Sequence, residues 1–340
     1  MTARMRIYEP ERHFLRVRNF LNETYCAFPH PCNWGLERWN YARYFVAPML
    51  GAEGTETGVP EGSLKAIALW ESLVRIWEDE NGRIIGVTCI EHPHNQHSGF
   101  GEIFIQRHPD RLDLIEEMVS VGEELYADPK RGRAHMWAFD SDEALNRVLA
   151  ARGFVRKDDS AFGYLEYSFG EIPKAALPDG YTLQSMAEEN DIEKRREIFG
   201  RGFNHEDPRD WPCAFAYEEL QRAPDYHKEN DLVIVAPNGD YAACAIVWHD
   251  DVNKVGHLEP LGTHPEHRRK GLAKAILCEG IRRLQGLGST WMPMENGGEP
   301  FYHAFGFVEK GTQYAWIKDF DAGAQAAATA SKTKREHGAS

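Results

Sequence analysis

The chain has 340 residues, 42% hydrophobic and 27% charged, with 39 Lys and Arg against 53 Asp and Glu for a formal charge of −14. At roughly 100 to 200 residues per domain, this length excludes a single small module and predicts two domains, each with a core of its own. The acidic balance repels phosphate backbones and anionic lipid, so nucleic acid and membrane are excluded as main partners and a cationic small molecule is favoured.

The opening segment, MTARMRIYEPERHF, carries charge where a secretory signal needs an apolar run. No stretch approaches the roughly 18 apolar residues of a spanning helix, so a cytoplasmic protein is expected. Six cysteines (Cys26, Cys32, Cys89, Cys213, Cys244, Cys278) lie scattered without a CxxC pair. That pattern fits reduced thiols, and neither a zinc site nor a disulfide framework.

The first half begins with helical patterns that include the aromatic stretch Trp34, Trp39, Tyr41 and Tyr44, read as core or interface. RIWEDENGRIIGVTCIEH then reads as a β-hairpin turning at Asn81-Gly82. The run His92-Pro93-His94-Asn95-Gln96-His97 has no Cys or carboxylate fixed beside it and reads as a solvated loop, with no metal expected. A strand leads into a helical pattern at His108-Pro109, a strand follows at Trp137, and a short helix ends at Gly153-Phe154 before the aromatic strand SAFGYLEYSF.

The second half repeats these landmarks in the same order. The hairpin turn recurs at Asn238-Gly239, His-Pro at His264-Pro265, the tryptophan at Trp291 and Gly-Phe at Gly306-Phe307, displaced by 157, 156, 154 and 153 residues. Four landmarks at nearly one offset define an internal repeat of about 150 residues, an α/β unit with a mixed sheet. The proline-bearing segment EIPKAALPDG (Pro173, Pro178) is the natural linker. The expected domains are 1–170 and 179–320, with a small, Ala-rich, disordered tail at 321–340.

One segment of the second half carries a recognisable chemistry. VGHLEPLGTHPEHRRKGLAKAILCEGIRRLQGLG reads as a strand, a tight basic turn and a helix, with Ala273, Ile276, Leu277, Ile281, Leu284 and Leu287 at helical spacing. Backbone amides at such a helix start, with Gly271 and Ala273 allowing close approach, form a cradle for a phosphate or pyrophosphate. Arg268, Arg269 and Lys270 add positive charge. The turn is neither a Walker loop nor a GxGxxG dinucleotide turn.

The strand, the turn Arg268-x-x-Gly271-x-Ala273 and the ending Tyr302-His303-Ala304-Phe305-Gly306-Phe307 resemble the GNAT family of N-acetyltransferases. The likeness is firm over residues 230 to 310 and extends over 180 to 320. It implies two tandem GNAT-like α/β domains, each a mixed, mostly antiparallel twisted sheet flanked by helices. It also implies acetyl-CoA as cosubstrate and no metal. The pyrophosphate would lie on the amides of Arg269, Lys270, Gly271, Leu272 and Ala273, and the pantetheine arm beside Leu261 and Thr263. Asn296 matches the family's pantetheine-contacting Asn, although it stands six residues before Tyr302 where the family spacing is seven.

Acyl transfer to an amine requires a base for the ammonium, stabilisation of the developing oxyanion and a proton for the leaving thiolate. His257 and Glu259 are two apart in a strand and face one side, at positions from which family members project a base. Glu259 is favoured and His257 is the alternative; a structural salt bridge to a neighbouring basic residue is the competing reading for Glu259. Tyr302 falls where the family places the acid for the thiolate, and a core aromatic beside Phe301 and Phe305 is the competing reading. No Cys or Ser nucleophile motif is present, so direct attack is expected.

Aligned on His-Pro, the first half has Leu112, Ile115 and Glu117 where the turn has Arg268, Gly271 and Ala273, and Glu116 opposite Leu272. Two carboxylates at a helix start would repel a pyrophosphate. Gly101 and Ile103 replace His257 and Glu259, and Leu149 falls opposite Tyr302. The first half is therefore expected to be a GNAT-like fold without its CoA site, walling a cleft or forming a dimer surface.

For the acceptor, Glu206, Asp207 and Asp210 with Trp211 in FNHEDPRDWPCAF could hold a cationic amine through charge and ring contact, though a helix cap and a solvated loop would use the same residues. Asp250 and Asp251 form a second such pair. The sequence thus predicts an N-acetyltransferase acting on the primary amine of a small, polyamine-like or aminoglycoside-like molecule, as a monomer or homodimer. Transfer of a longer acyl group, a peptide or protein amine as acceptor, and a non-catalytic acyl-CoA-binding regulator are the alternatives.

Overall fold

A computed structural model describes residues 3–50, 60–92, 101–128, 132–295 and 300–320. Asn296, His94 and His97, and the tail from residue 321, lie outside them. The first half runs β1 (Arg4–Ile7), α1 (Pro10–Thr24), α2 (Leu36–Tyr41), α3 (Pro60–Leu73), β2 (Arg75–Glu78), β3 (Ile84–Cys89), β4 (Phe104–Arg107), α4 (Ile115–Tyr126), β5 (Arg133–Phe139), α5 (Glu143–Ala151) and β6 (Val155–Ser168). The second half runs β7 (Thr182–Ser185), α6 (Ile192–Gly202), α7 (Ala214–Leu220), β8 (Asp231–Val235), β9 (Tyr241–Asp250), β10 (Val255–Thr263), α8 (Leu272–Leu287), β11 (Trp291–Glu295), α9 (Pro300–Phe305) and β12 (Val308–Asp319). Residues 169 to 181 between the halves form no helix or strand.

Local chemistry explains these boundaries. Gly82 (φ +75°) and Gly239 (φ +88°) supply the left-handed residue of the two Asn-Gly hairpin turns. Pro10 opens α1, which buries Phe14, Val17 and Leu21 along one face. The side chains of Asp142 and Asp191 accept the amides of Leu145 (3.2 Å) and Lys194 (3.0 Å), capping α5 and α6. α8 buries Leu272, Ile276, Leu277, Ile281 and Leu284, whereas Leu287, assigned by spacing to the same stripe, is exposed at the helix end.

The sheets do not divide as the halves do. One contains β1-β2-β3-β4, and the other runs β5-β12-β6-β11-β10-β9-β8-β7. The last strand of each half is thus exchanged: β12 lies between β5 and β6, and β6 lies between β12 and β11. The exchange adds to the expected α/β architecture that β5 and β6 of the first half join the sheet of the second. The reason lies in the edges, because two long terminal strands pairing with the opposite half leave neither inner edge open. The halves form a pseudo-dimer within one chain.

Each half also contains a split. β10 and β11 run parallel but meet through one pair, Val255 with Trp291, and the corresponding β4–β5 contact is the single parallel bridge from Glu102 to His135. β10 carries a bulge: Leu258 opposes Val247 and Leu261 opposes Ala245, which takes Glu259 and Pro260 out of register.

Three large apolar clusters hold this frame. Trp39, Trp70 and Trp77 centre the first-half core, which also takes in Trp316 of β12. α8 and the strands beneath it form the second. A third belongs to both halves, with Leu36, Tyr41 and Phe45 packed on Tyr217, Leu220, Ile246 and Trp248. That shared core presses α2 against β9 and β10 and so fixes the walls of the site. Beneath α6, Arg195 Nε donates to Asp231 at 2.8 Å with both side chains fully buried, and Tyr226 Oη donates to the other carboxylate oxygen at 2.9 Å.

Candidate active site

β10 runs at its C-terminal end into the basic turn. After one 3₁₀ turn (Pro265–His267) the backbone is left-handed at Arg269 (φ +63°) and at Gly271 (φ +81°), where α8 begins without a side-chain cap. A Cβ placed on Gly271 would meet nothing within 4 Å, so open space lies over the first amides of α8. Uncapped amides at the start of a sixteen-residue helix can hold an anion through hydrogen bonds and the helix dipole. The residues present therefore fit a pyrophosphate.

The basic side chains divide their work. Arg268 donates to Thr263 O (3.2 Å), Gly202 O (3.1 Å) and Asn204 Oδ1 (2.7 Å), bracing the turn against the end of α6. Lys270 Nζ lies 3.1 Å from Tyr181 Oη, which is 2.8 Å from His267 Nδ1. Leu272 is buried and anchors the helix, leaving its amide for a ligand. Leu261 packs on the second-half core, and Thr263 is half-buried beside the turn.

At the split, strands of both halves and α2 surround a cavity of about 390 Å³. Its walls carry Glu37, Glu91, Glu102, Asp142, Glu259 and Glu295 against Arg38 and Arg107, six carboxylates to two guanidiniums. Arg107 is tied to Asp142 at 2.8 Å, and Arg38 reaches both Glu91 and Glu295 at 3.3 Å. Glu259 is open to water at the wall yet enclosed by protein on several sides. That enclosure, reinforced by Glu91, Glu37 and Glu295 and opposed by Arg38, pushes its carboxyl up to about 8. Burial and Glu91 likewise push Glu102 up to about 7, against the pull of Arg38. Glu91 also suffers burial, but the Arg38 guanidinium holds it below the usual carboxylate range.

The structure brings His257 and Glu259 together in this cavity. His257 is 2% exposed, with Nδ1 3.1 Å from Glu37 Oε2 and the Tyr25 ring edge-on at 5.2 Å. Tyr302 stands on α9 in a cluster with Phe301 (5.2 Å) and Phe307 (5.4 Å), packed against the second-half core. It is half-buried there and is not among the described residues of the cavity wall.

The acceptor residues expected from sequence, Glu206, Asp207 and Trp211, sit away from this cavity. Asp207 is held by Arg209 (2.5 to 3.0 Å), which lowers its carboxyl to about 2. Arg201 covers the Trp211 ring at 5.5 Å, and the indole donates to His205 O at 3.0 Å. Glu206 is exposed on the same surface, and none of the three is among the described residues of the cavity wall. The charge of Asp207 and the ring of Trp211 are spent on local contacts. Asp250, the last residue of β9, is likewise buried and accepts from the amides of Val252 and Asn253. Trp34 and Tyr41, read as core or interface, line the cavity as well. Glu37, Arg38, Glu91, Glu102 and Glu295 were missed, and no spacing rule joins residues 37, 91 and 295.

The first half enters its equivalent helix differently. Leu112–Leu114 form a 3₁₀ turn that winds directly into α4, whose first turn carries Glu116 and Glu117. No left-handed residue opens the amides there, and Arg111 is bound to Asp113 at 2.7 Å. Among the described residues no group of three or more His, Cys, Asp or Glu side chains could hold a metal ion, and no helix is long and apolar enough to cross a membrane.

Two halves with the same strand–helix order, split sheets and an amide cradle after the fourth strand of the second half define a tandem acetyltransferase-type fold. Residues 194–307 match the acetyltransferase (GNAT) family model, so this segment of the second half is a GNAT domain. No curated protein matches the chain. Among solved structures, a tandem GNAT protein from the clavulanic acid biosynthesis pathway aligns over 93% of this chain and 98% of its own, at 15% identity and a TM-score of 0.60. A GCN5-related N-acetyltransferase from Sphaerobacter thermophilus aligns over 83% and 94%, at 16% identity and a TM-score of 0.53. These likenesses establish the shared fold.

Proposed function

We propose that the protein transfers the acetyl group of acetyl-CoA to the primary amine of a small cationic acceptor, with the reaction in the second-half split. The observation that carries this reading is continuity along one strand. β10 places Glu259 in the acidic cavity through its bulge and then delivers the chain to the open amides of α8. A cosubstrate anchored at residues 269–273 and laid along the diverging β10 and β11 would present its thioester to that cavity. About 390 Å³ lies at the small end of ligand pockets, which run from roughly 300 to 1,000 Å³. Enclosure by both halves favours a small amine over a protein tail.

In this reading the carboxylate of Glu259 takes a proton from the bound ammonium. The freed nitrogen lone pair forms a bond to the thioester carbon, the carbon–sulfur bond breaks, and the thiolate leaves to be protonated. Tyr302 is kept as the proposed donor of that proton, and Asn296 as a proposed pantetheine contact. The excess of carboxylates supports a cationic acceptor by raising its local concentration and holding it by charge.

A calorimetric titration of acetyl-CoA into the wild type and Gly271→Glu, followed by thiol release with a panel of amines, tests the proposal. One site per chain, lost in the variant, and turnover of small polyamines are expected. Two sites, or turnover of peptide amines alone, would reject it.

A further inference from the structure

The shared wall of the cavity holds a contact that links the halves. His257 belongs to β10 of the GNAT domain, and Glu37 belongs to α2 of the degenerate copy. Their side chains meet at 3.1 Å, Nδ1 to Oε2. The room for this meeting comes from Gly35, where a Cβ would stand 2.1 Å from Glu37 Oε2 and 2.7 Å from His257 Cε1. Tyr25 closes the ring from another side. His257 is 2% exposed, and among the described residues neither its Nε2 nor Glu37 Oε2 has a hydrogen-bond partner, so the 3.1 Å approach is a charge contact and not an aligned hydrogen bond.

A buried ring nitrogen without a partner costs free energy, and native structures rarely tolerate one unless a ligand or water completes it. A carboxylate at Nδ1 favours the tautomer with the proton on Nδ1, which leaves a lone pair on Nε2. His257 lines the carboxylate-rich cavity, and a lone pair buried behind that wall calls for a hydrogen-bond donor, which an amine bound there would supply. Contacts of this kind are often poorly aligned without substrate and tighten when it binds.

We infer that Glu37 of the first half positions His257 so that Nε2 accepts a hydrogen bond from the acceptor amine, turning its lone pair toward the thioester while Glu259 takes the proton. The inference rests on the acyltransferase reading and extends it: the degenerate copy completes the acceptor site. Glu37 is a positioning residue and touches no reacting atom.

The test is nitrogen NMR of the imidazoles in the full chain, with the His257 signal among the 15 histidines assigned by His257→Gln, together with thiol-release kinetics. The wild type is expected to carry its proton on Nδ1, and spermidine, used as the probe, to shift the Nε2 resonance. Glu37→Ala is expected to move the proton toward Nε2 and to lower kcat about 10- to 100-fold, the scale for losing a group that orients a ligand. Its acetyl-CoA affinity should stay unchanged. Glu37→Gln, which retains an acceptor oxygen, should keep the tautomer and most of the rate. A proton on Nε2 in the wild type, no Nε2 shift with spermidine, or a Glu37→Ala protein with unchanged tautomer and kcat would each overturn the inference. Failure of the wild type to release thiol with any amine would instead overturn the acyltransferase reading, and the tautomer and spermidine arms would still judge the His257 site.

Discussion

Replacing Glu259 with Gln removes one charge at nearly constant volume and bears directly on the proposed chemistry. With its carboxyl pushed up to about 8 by burial and by Glu91, against Arg38, the side chain is roughly one-tenth ionised at pH 7 and nine-tenths at pH 9. The base is the ionised form, which is gained as pH rises through about 8. The rate through it should therefore climb about tenfold between those limits. The assay is kcat/KM for thiol release at saturating acetyl-CoA, with the amine expressed as its ammonium concentration, the form that gives up its proton to Glu259, so that the acceptor's own titration drops out. Glu259→Gln should lose roughly 10²- to 10⁴-fold and the inflection with it. The neighbours give an independent check on the cause. Glu91→Gln removes a repelling charge and should move the inflection down, whereas Arg38→Met removes the opposing cation and should move it up. The same inflection in Glu259→Gln, or an inflection indifferent to Glu91, would refute the assignment.

Gly271→Glu puts a side chain and a negative charge over the amides of α8 at a left-handed residue; acetyl-CoA binding should vanish in calorimetry, with a backbone cost of about 1–2 kcal/mol in denaturant melts. Arg195→Ala strands Asp231 beside Tyr226 in a fully buried site, so urea unfolding should show a loss of about 3–5 kcal/mol; a loss below about 1 kcal/mol would contradict the burial argument. Tyr302→Phe should lower kcat while leaving acetyl-CoA affinity intact if its hydroxyl protonates the thiolate, and should leave kcat unchanged if the ring serves only the cluster with Phe301 and Phe307.

The sequence by itself determined what is local. Asn-Gly turns, the His-Pro steps, the helical stripe through Ile276, Leu277, Ile281 and Leu284, and the small residues Gly271 and Ala273 at the start of α8 each depend on a few consecutive residues. Their repetition in one order defined two α/β units, and the Arg268 to Ala273 turn located the cradle. His257 and Glu259, two apart in the sequence, both line the cavity, although the bulge takes Glu259 out of the strand's register.

What only the tertiary structure decided is how the halves combine. The exchange of β6 and β12 is a choice between partners of similar pattern, settled by which pairing closes the inner edges. The meeting of Glu37, Arg38, Glu91 and Glu295 spans some 260 residues of chain and leaves no periodic mark. The same holds for the failure of the segment around Asp207 and Trp211 to face the cavity. Its residue types suit an ammonium, but Arg209 and Arg201, both near in sequence, claim them first. Charge can be counted along a chain, whereas which charges remain for a ligand depends on the partners that folding brings to them.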